Sequence, residues 1–532
     1  MREPRLRPVL LILALLFAVL VVPNLAAQWT DQTVVRWILL VVQVYNFAIL
    51  LLVVFLFPKL RHATWPLTTL ACLSLCLADF VRHFSGMPSI GAYLSLTHTN
   101  PGEALEYLRM KWVAVAGVIS GGALFALAFR ALAARVDAGP LPRVRKPILC
   151  ACLCLIASGS IWDALANSRK PNMPSRFADP LNNSFPCGFV FTSWDIAKHV
   201  RYYRHPVAAA PYHARRTVPI SGRETYVLVI GESASAAYCS LSGYAYPTNA
   251  LMKRRQDSGS LIYFPRVLAQ ANATMLALPM IVTPKTPSTF TWGTSNSLVT
   301  AFKEAGFTTY WISNQGEMGP TSEADFPLLL HPLSSYWEVH YDEDILPYLD
   351  IVLHSTREKK LIVLHLLGSH VLYTNRVPPS FKTPGLEGDP QEVAYARTLS
   401  YTDHVLDKVI HRLEGASGRS LLWYVSDHGQ RLEKGEVGHG SLVANIRELH
   451  VPMLLWRNQE FAQANGEALA RVLGHKDEIL SQGVTFNTFL GLAGLTYDRR
   501  HGALAGTPRA ENSQAPRFPG APFDQVRAKA LG

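Results

Sequence analysis

Charge is sparse in this sequence: 17% of its 532 residues are Asp, Glu, Lys or Arg. Acidic residues are the scarcer kind, 39 against 50 basic ones, which leaves a formal net charge of +11. A basic balance points to nucleic acid or to anionic membranes. No basic run interleaved with aromatics is present to follow a phosphate backbone, which excludes a nucleic-acid reader. Cysteine is also sparse. Of the seven, Cys72, Cys76, Cys150, Cys152 and Cys154 lie in apolar stretches, where a thiol is a small hydrophobe. Only Cys187 and Cys239 fall in the more polar remainder, and their pairing is left open.

What is present instead is apolar mass, 49% of residues, concentrated before about residue 165. Five segments, 8–25, 35–57, 67–84, 112–131 and 147–165, are long enough for ~30 Å of hydrocarbon at ~1.5 Å per residue. The first also resembles a signal peptide, with Arg2, Arg5 and Arg7 ahead of it. The spans that follow and the poor cleavage stretch LAAQ favour a membrane helix. Asp79 interrupts the third. Lys and Arg collect before the first segment, between the second and third (Lys59, Arg61) and between the fourth and fifth (Arg130, Arg135, Arg143, Arg145, Lys146); the loop 26–34 has none. That asymmetry puts the N-terminus on the cytoplasmic side and, after five crossings, everything beyond about residue 166 outside. The outer loop around Ala104, Leu105 and Leu108 reads as a short interfacial helix.

The remainder divides into a polar linker over 166–222 with a short helix near 193–204, a globular domain over 223–498, and a flexible tail over 499–532 rich in Pro, Gly, Ala and Arg. The five-helix membrane domain is 1–165. In the globular part, Tyr226–Ile230, Thr308–Ile312, Leu361–Leu364, Leu421–Val425 and Pro452–Trp456 read as buried strands separated by helical patterns. The expected fold is an α/β domain with a mostly parallel sheet covered on both faces. Ligands in such sheets sit beyond the carboxyl ends of the strands.

Those ends are where the polar residues stand. Glu232 follows the first run, His365 ends the third, and Asp427 and His428 follow the fourth. Thr274 lies in a small-residue stretch, AQANATMLALP, at an apparent helix start. Two carboxylates, an imidazole and a hydroxyl are a reasonable shell for Zn2+, which takes N and O ligands and lowers the pKa of a bound hydroxyl. Thr274 then becomes a nucleophile. Each residue alone is weak evidence, and Thr274 equally suits a helix cap. The set at successive strand ends carries the reading. His370 and His439 fit beside it, as ligands of a second metal or as phosphate-contacting acids, whereas His365 reads as structural.

The stretches VIGESASAAYCSLSGY, ANATMLALP, LHLLGSH, YTDHVLDKVI and VSDHGQRLEKGEVGHG resemble the motifs of bacterial phosphoethanolamine transferases, the sulfatase-like branch of the alkaline phosphatase superfamily. The resemblance spans nearly the whole chain. It implies five membrane helices and a periplasmic alkaline phosphatase/sulfatase-like domain in a multi-pass inner-membrane protein. It implies a zinc shell of Glu232, Thr274, Asp427 and His428, one or two zinc ions, and Thr274 as the phosphoethanolamine-accepting residue. His370 and His439 match histidines that hold substrate or a second zinc. Thr99 and Glu103 match positions that touch the lipid donor's headgroup, and Ser95 stands where a third is usually Asn. Other departures are Ser235 in place of Arg, Gln430 in place of Glu, and no Lys after Trp311-Ile312-Ser313-Asn314.

The resemblance thus implies transfer of phosphoethanolamine from phosphatidylethanolamine, through a phosphothreonine, to lipopolysaccharide (lipid A or core sugar) or a periplasmic glucan. It implies a monomer among membrane lipids. The rivals are a phosphoglycerol transferase of the same superfamily and a non-catalytic envelope scaffold. A sulfatase is disfavoured because Thr274 lacks the Cys/Ser-x-Pro-x-Arg setting.

Overall fold

The structure is a computed structural model that describes residues 6–22, 33–57, 59–84, 104–105, 108–109, 111–137, 146–155, 157–158, 211–217, 221–290, 296–316, 319–330, 340–383, 385–386, 388–433, 436–440 and 444–498. The chain falls into two compact units, one drawn from Met1–Ile90 and Leu105–Lys198, the other from Gly91–Ala104 and His199–Gly532.

The first unit is helical. Leu6–Leu16 continues through a π-turn at Phe17–Val21, and Thr33–Leu56, Thr64–Phe84 and Trp112–Asp137 follow; residues 146–155 are also helical. The helix Thr64–Phe84 runs unbroken through Asp79. The described parts of the five apolar segments are therefore helical, apart from a bend at Phe57. Among the described residues one helix, Trp112–Asp137, is long and apolar enough on its own to cross a membrane. It packs closely on Thr64–Phe84 because Gly122 has no side chain: a Cβ there would stand 2.5 Å from Cys72 Sγ. Leu16, Leu20, Val54, Leu67, Phe125 and Phe129 fill the unit's interior, while Val113, Ile119, Leu124 and Leu127 face outward. Helices apolar on both faces suit a hydrocarbon surround.

The second unit is built on a seven-stranded sheet. In chain order its strands are β1 (Glu224–Gly231), β2 (Leu261–Phe264), β3 (Thr308–Ser313), β4 (Phe326–Leu329), β5 (Lys359–His365), β6 (Arg419–Ser426) and β7 (Met453–Arg457). Across the sheet they run β2-β7-β6-β1-β5-β3-β4. β1 pairs in parallel with β5 and β6, and β3 with β5 and β4. The sheet is mostly parallel as expected, and mixed through one strand: β7 is antiparallel to both β6 and β2. The sequence gives no cue to direction, since a run buried on both faces looks alike either way.

β1 shows why these runs are apolar throughout. Tyr226, Leu228 and Ile230 enter one core with Phe302, Phe461, Phe486 and Phe489, while Val227 and Val229 enter the other with Met252, Leu349, Val405 and Val409. Side chains alternate across a strand, so burying both faces demands apolar residues at every position. The end of the expected linker joins this unit: Arg215–Arg216 pairs with Leu495–Thr496, and Glu304 accepts from the Tyr212 and Ala214 amides. The expected helix near 193–204 and the tail 499–532 lie outside the described residues.

Asp403, in the long helix Pro390–Glu414, caps a neighbouring helix by accepting from the Leu251 and Met252 amides at 2.8 and 3.1 Å. Burial pushes its carboxyl up from 3.8 to about 7, against those two hydrogen bonds. The folded state therefore holds a proton that the unfolded chain releases near pH 4. Stability is full below pH 4 and falls as pH rises toward 7, by up to about 4 kcal/mol at ~1.36 kcal/mol per pH unit. Asp403→Asn is expected to flatten this slope at the cost of one cap bond, as read from melting temperatures across pH 4–8.

Candidate functional site

Two strand ends and one helix start converge. β1 delivers Glu232 and β6 delivers Asp427 and His428; Thr274 is the first residue of the helix Thr274–Val282. The N-cap of that helix is Ala273, with no side-chain capping bond. The Thr274 hydroxyl donates instead to Glu232 Oε2 at 3.0 Å and lies 3.3 Å from His428 Nε2. The capping alternative is thereby set aside.

His428 Nδ1 sits 2.8 Å from the Gly429 carbonyl, which only accepts, so the ring proton is on Nδ1. In the neutral ring Nε2 is then a bare lone pair. It faces Asp427 Oδ2 at 3.3 Å and Glu232 Oε1 at 3.5 Å. Asp427 Oδ1 accepts from the Ser233 and His428 amides at 3.0 and 2.6 Å, but Oδ2 accepts no hydrogen bond. Glu232, Asp427 and His428 are all buried, with ligand atoms within 4.8 Å of one another. Converging lone pairs with an orphaned carboxylate oxygen are unfavourable unless a cation or protons occupy the centre. This donor set of imidazole nitrogen and carboxylate oxygens suits Zn2+.

The electrostatics agree. Burial, then the charge of Asp427, pushes the Glu232 carboxyl above its usual range. His428 is pulled down by burial but raised further by Asp427 and Glu232, so its net shift is upward. Both shifts favour a proton in the place where a metal would sit.

The other histidines take distinct places. The His439 ring lies 4.1 Å from that of His428, and the His370 ring 6.1 Å from that of His439. Burial and the neighbouring His428 and His370 hold His439 well below its usual pKa, hence neutral. Gln430 separates His439 from Tyr373: its Oε1 is 2.8 Å from His439 Nδ1 and its Nε2 donates to the Tyr373 hydroxyl at 2.7 Å. His365 is fully buried at the end of β5 against the edge of Trp311, and burial lowers its pKa to about 4. Ser235 is buried, its amide donating to the Tyr395 hydroxyl at 2.8 Å. Cys239 is buried and free. Thr99, Glu103, Ser95 and Cys187 lie outside the described residues.

Several supporting residues carried no signal of their own in the sequence. Ser233 adopts φ 56°, a left-handed conformation that is costly for a non-glycine residue. It thereby bridges the two carboxylates, its amide on Asp427 and its hydroxyl on Glu232 Oε1 at 2.5 Å. Asn272 donates to Glu448 Oε2 at 2.6 Å, and Glu448 pairs with Arg431, which anchors the loop leading into Thr274. Gln315 donates to Glu232 Oε2 at 3.1 Å. Only local pattern is visible in sequence, and the contacts of Ser233 with Asp427, Asn272 with Glu448 and Gln315 with Glu232 join residues 83 to 194 positions apart.

Gly368 marks a close backbone approach to Glu232. Its φ is 54°, and a Cβ there would meet the Glu232 backbone at 2.7 Å. Gly368→Ala is expected to cost about 1–3 kcal/mol and to displace Glu232. A melting curve and a zinc titration on the same sample check both effects.

The sequence profile of the sulfatase family matches residues 224–495, just over half of the chain. The chain is 26% identical over 405 residues to the putative transferase YhbX of Escherichia coli K12, covering 74% of this chain and 72% of that one. It is 24% identical over 465 residues to the phosphoethanolamine transferase EptA of Salmonella typhimurium, covering 81% and 83%. The integral membrane lipooligosaccharide phosphoethanolamine transferase A (EptA) of Neisseria meningitidis shares the fold, with a TM-score of 0.73 over 92% of this chain and 97% of that one at 20% identity.

Proposed function

The chain belongs to the sulfatase family, and from that premise we propose that it is a metal-dependent phosphoethanolamine transferase of the bacterial inner membrane. The observation that carries the reading is the Thr274 hydroxyl held between Glu232 and His428 at a buried N/O donor set. Relatives named phosphoethanolamine transferase over most of their length support the group transferred.

Glu232, Asp427, His428 and Thr274 would hold Zn2+, which when bound lowers the pKa of the hydroxyl and neutralises charge on the phosphoryl oxygens. The residues of the chain do the rest. Thr274 Oγ1 attacks the phosphorus of phosphatidylethanolamine, forming a P–O bond as the P–O bond to diacylglycerol breaks. The departing diacylglycerol oxygen takes up a proton, with His370 as the donor, since neutral His439 has no acidic proton to give. A hydroxyl or phosphate oxygen of the acceptor then attacks the same phosphorus and displaces Thr274. The N-terminal end of the Thr274–Val282 helix adds a favourable dipole for the anionic group. Lipopolysaccharide, through lipid A or a core sugar, or a periplasmic glucan is the acceptor class.

Five membrane spans over 1–165, a linker over 166–222, a periplasmic catalytic domain over 223–498 and a tail over 499–532 complete the proposed organisation. Outward apolar side chains in the first unit support membrane burial. Thr99 and Glu103 are proposed to contact the donor headgroup, and the protein to act as a monomer. An anchored site meets lipid-borne donor and acceptor in two dimensions, which helps to orient them.

Mass spectrometry of the full chain incubated with phosphatidylethanolamine, beside phosphatidylglycerol, tests the reading. A phosphoethanolamine adduct on Thr274 is expected. A phosphoglycerol adduct alone would establish the phosphoglycerol transferase instead, and no adduct from either lipid a scaffold.

A further inference from the structure

Glu232 is held at both oxygens. Ser233 Oγ donates to Oε1, while Oε2 accepts from Thr274 Oγ1 and from Gln315 Nε2. Gln315 gives its other amide hydrogen to the Leu366 carbonyl at 2.7 Å. A carboxylate and a carbonyl can only accept, so the nitrogen of this amide, not its oxygen, must occupy this place. The side chain is buried, just past the end of β3. It is tied to backbone just past the end of β5 and holds a carboxylate just past the end of β1.

We propose that Gln315 is a positioning residue that fixes the Glu232 carboxylate for metal capture, an inference that rests on the metal-site reading above. A glutamate side chain has three rotatable bonds, and a ligand free to turn loses part of its affinity to ordering. Gln315 removes that freedom from the side opposite Ser233. Its neutrality matters as much as its reach. A lysine in its place would satisfy Oε2 but offset the negative charge that attracts the cation, whereas an amide donates without competing. Thr274 shares Oε2 with it. When the Thr274 proton is drawn away during transfer, Gln315 remains as a donor on that oxygen.

The test is zinc affinity, measured by competition with a chromophoric chelator on the full chain in detergent. Wild type is compared with Gln315→Met, which keeps length but loses both donors, and with the milder Gln315→Asn, which is too short to span both acceptors. His428→Ala serves as the ligand-loss control. Both Gln315 variants are expected to bind zinc roughly 10–100-fold more weakly, with the metal-free melting temperature close to that of wild type. Unchanged affinity in both would overturn the proposal, as would a loss matched by an equal fall in metal-free stability, which marks a structural role. A wild type that binds no zinc defeats the metal reading itself, a separate outcome from equal binding across the series.

Discussion

Thr274→Ala leaves a folded protein that forms no phosphoethanolamine adduct and whose turnover falls by at least about three orders of magnitude, a loss of the size seen when a nucleophile is deleted. The expectation follows from how the hydroxyl is used. Thr274 opens its helix but does not cap it, and its Oγ1 spends its hydrogen bond on Glu232 and faces the bare nitrogen of His428. Alanine is a good helix former and fits a first-turn position, so the helix itself should survive. What disappears is the one oxygen in position to bond to phosphorus. Thr274→Ser keeps that oxygen but frees its rotamer, because a β-branched side chain is stiffer at χ1. Serine should therefore retain the adduct while lowering the rate. Intact-mass and peptide spectrometry with phosphatidylethanolamine, run on all three proteins, reads both effects. An adduct of equal yield in Thr274→Ala would place the nucleophile elsewhere.

The parts of this site that could be read from the chain were those written in local pattern. β1, β5 and β6 are apolar runs that stop abruptly at Glu232, at His365 and at Asp427-His428, and parallel neighbours align their ends. Residues that end adjacent strands must meet, so a periodicity argument brings Glu232, Asp427 and His428 together as candidate metal donors without any structure. β2 and β4 escaped that reading because they are the short edge strands of the sheet, and β4 carries Pro327 and is half exposed. β7 was visible as a run, but its reversed direction was not. Gln315, Ser233 and Asn272 escaped for another reason. Each is a common polar residue whose role exists only through a partner far along the chain, Glu232, Asp427 or Glu448. No composition or spacing marks them. Two of the departures from the family pattern, Ser235 and Gln430, were legible as letters only. Gln430 turns out to touch His439, whereas Ser235 is buried with its amide on the Tyr395 hydroxyl.

Zinc should stabilise this protein increasingly as pH rises. Without metal, Glu232 and His428 both have pKa values raised above those of the unfolded chain, the first by burial and Asp427, the second by the two carboxylates against its own burial. A group with a raised folded pKa contributes stability that is full below the unfolded pKa and lost as pH climbs through the folded one. For Glu232 that loss begins above the ordinary glutamate range, and for His428 above the ordinary histidine range. Over the same interval the donor atoms become free, because zinc binds the carboxylate and the neutral imidazole and must displace their protons. Rising pH therefore removes the protons that hold the metal-free site together and opens that site to the cation. The gap in melting temperature between zinc-loaded and chelator-treated protein is expected to widen steadily from pH 5 to pH 8, and transfer activity to be lost on chelation and restored by zinc. In His428→Ala the gap should shrink at every pH, since two carboxylates and a hydroxyl lack the imidazole nitrogen that zinc favours. A gap that is constant with pH in the wild type would mean that neither group gives up a proton to the metal, and the assignment of Glu232 and His428 as ligands would have to be abandoned.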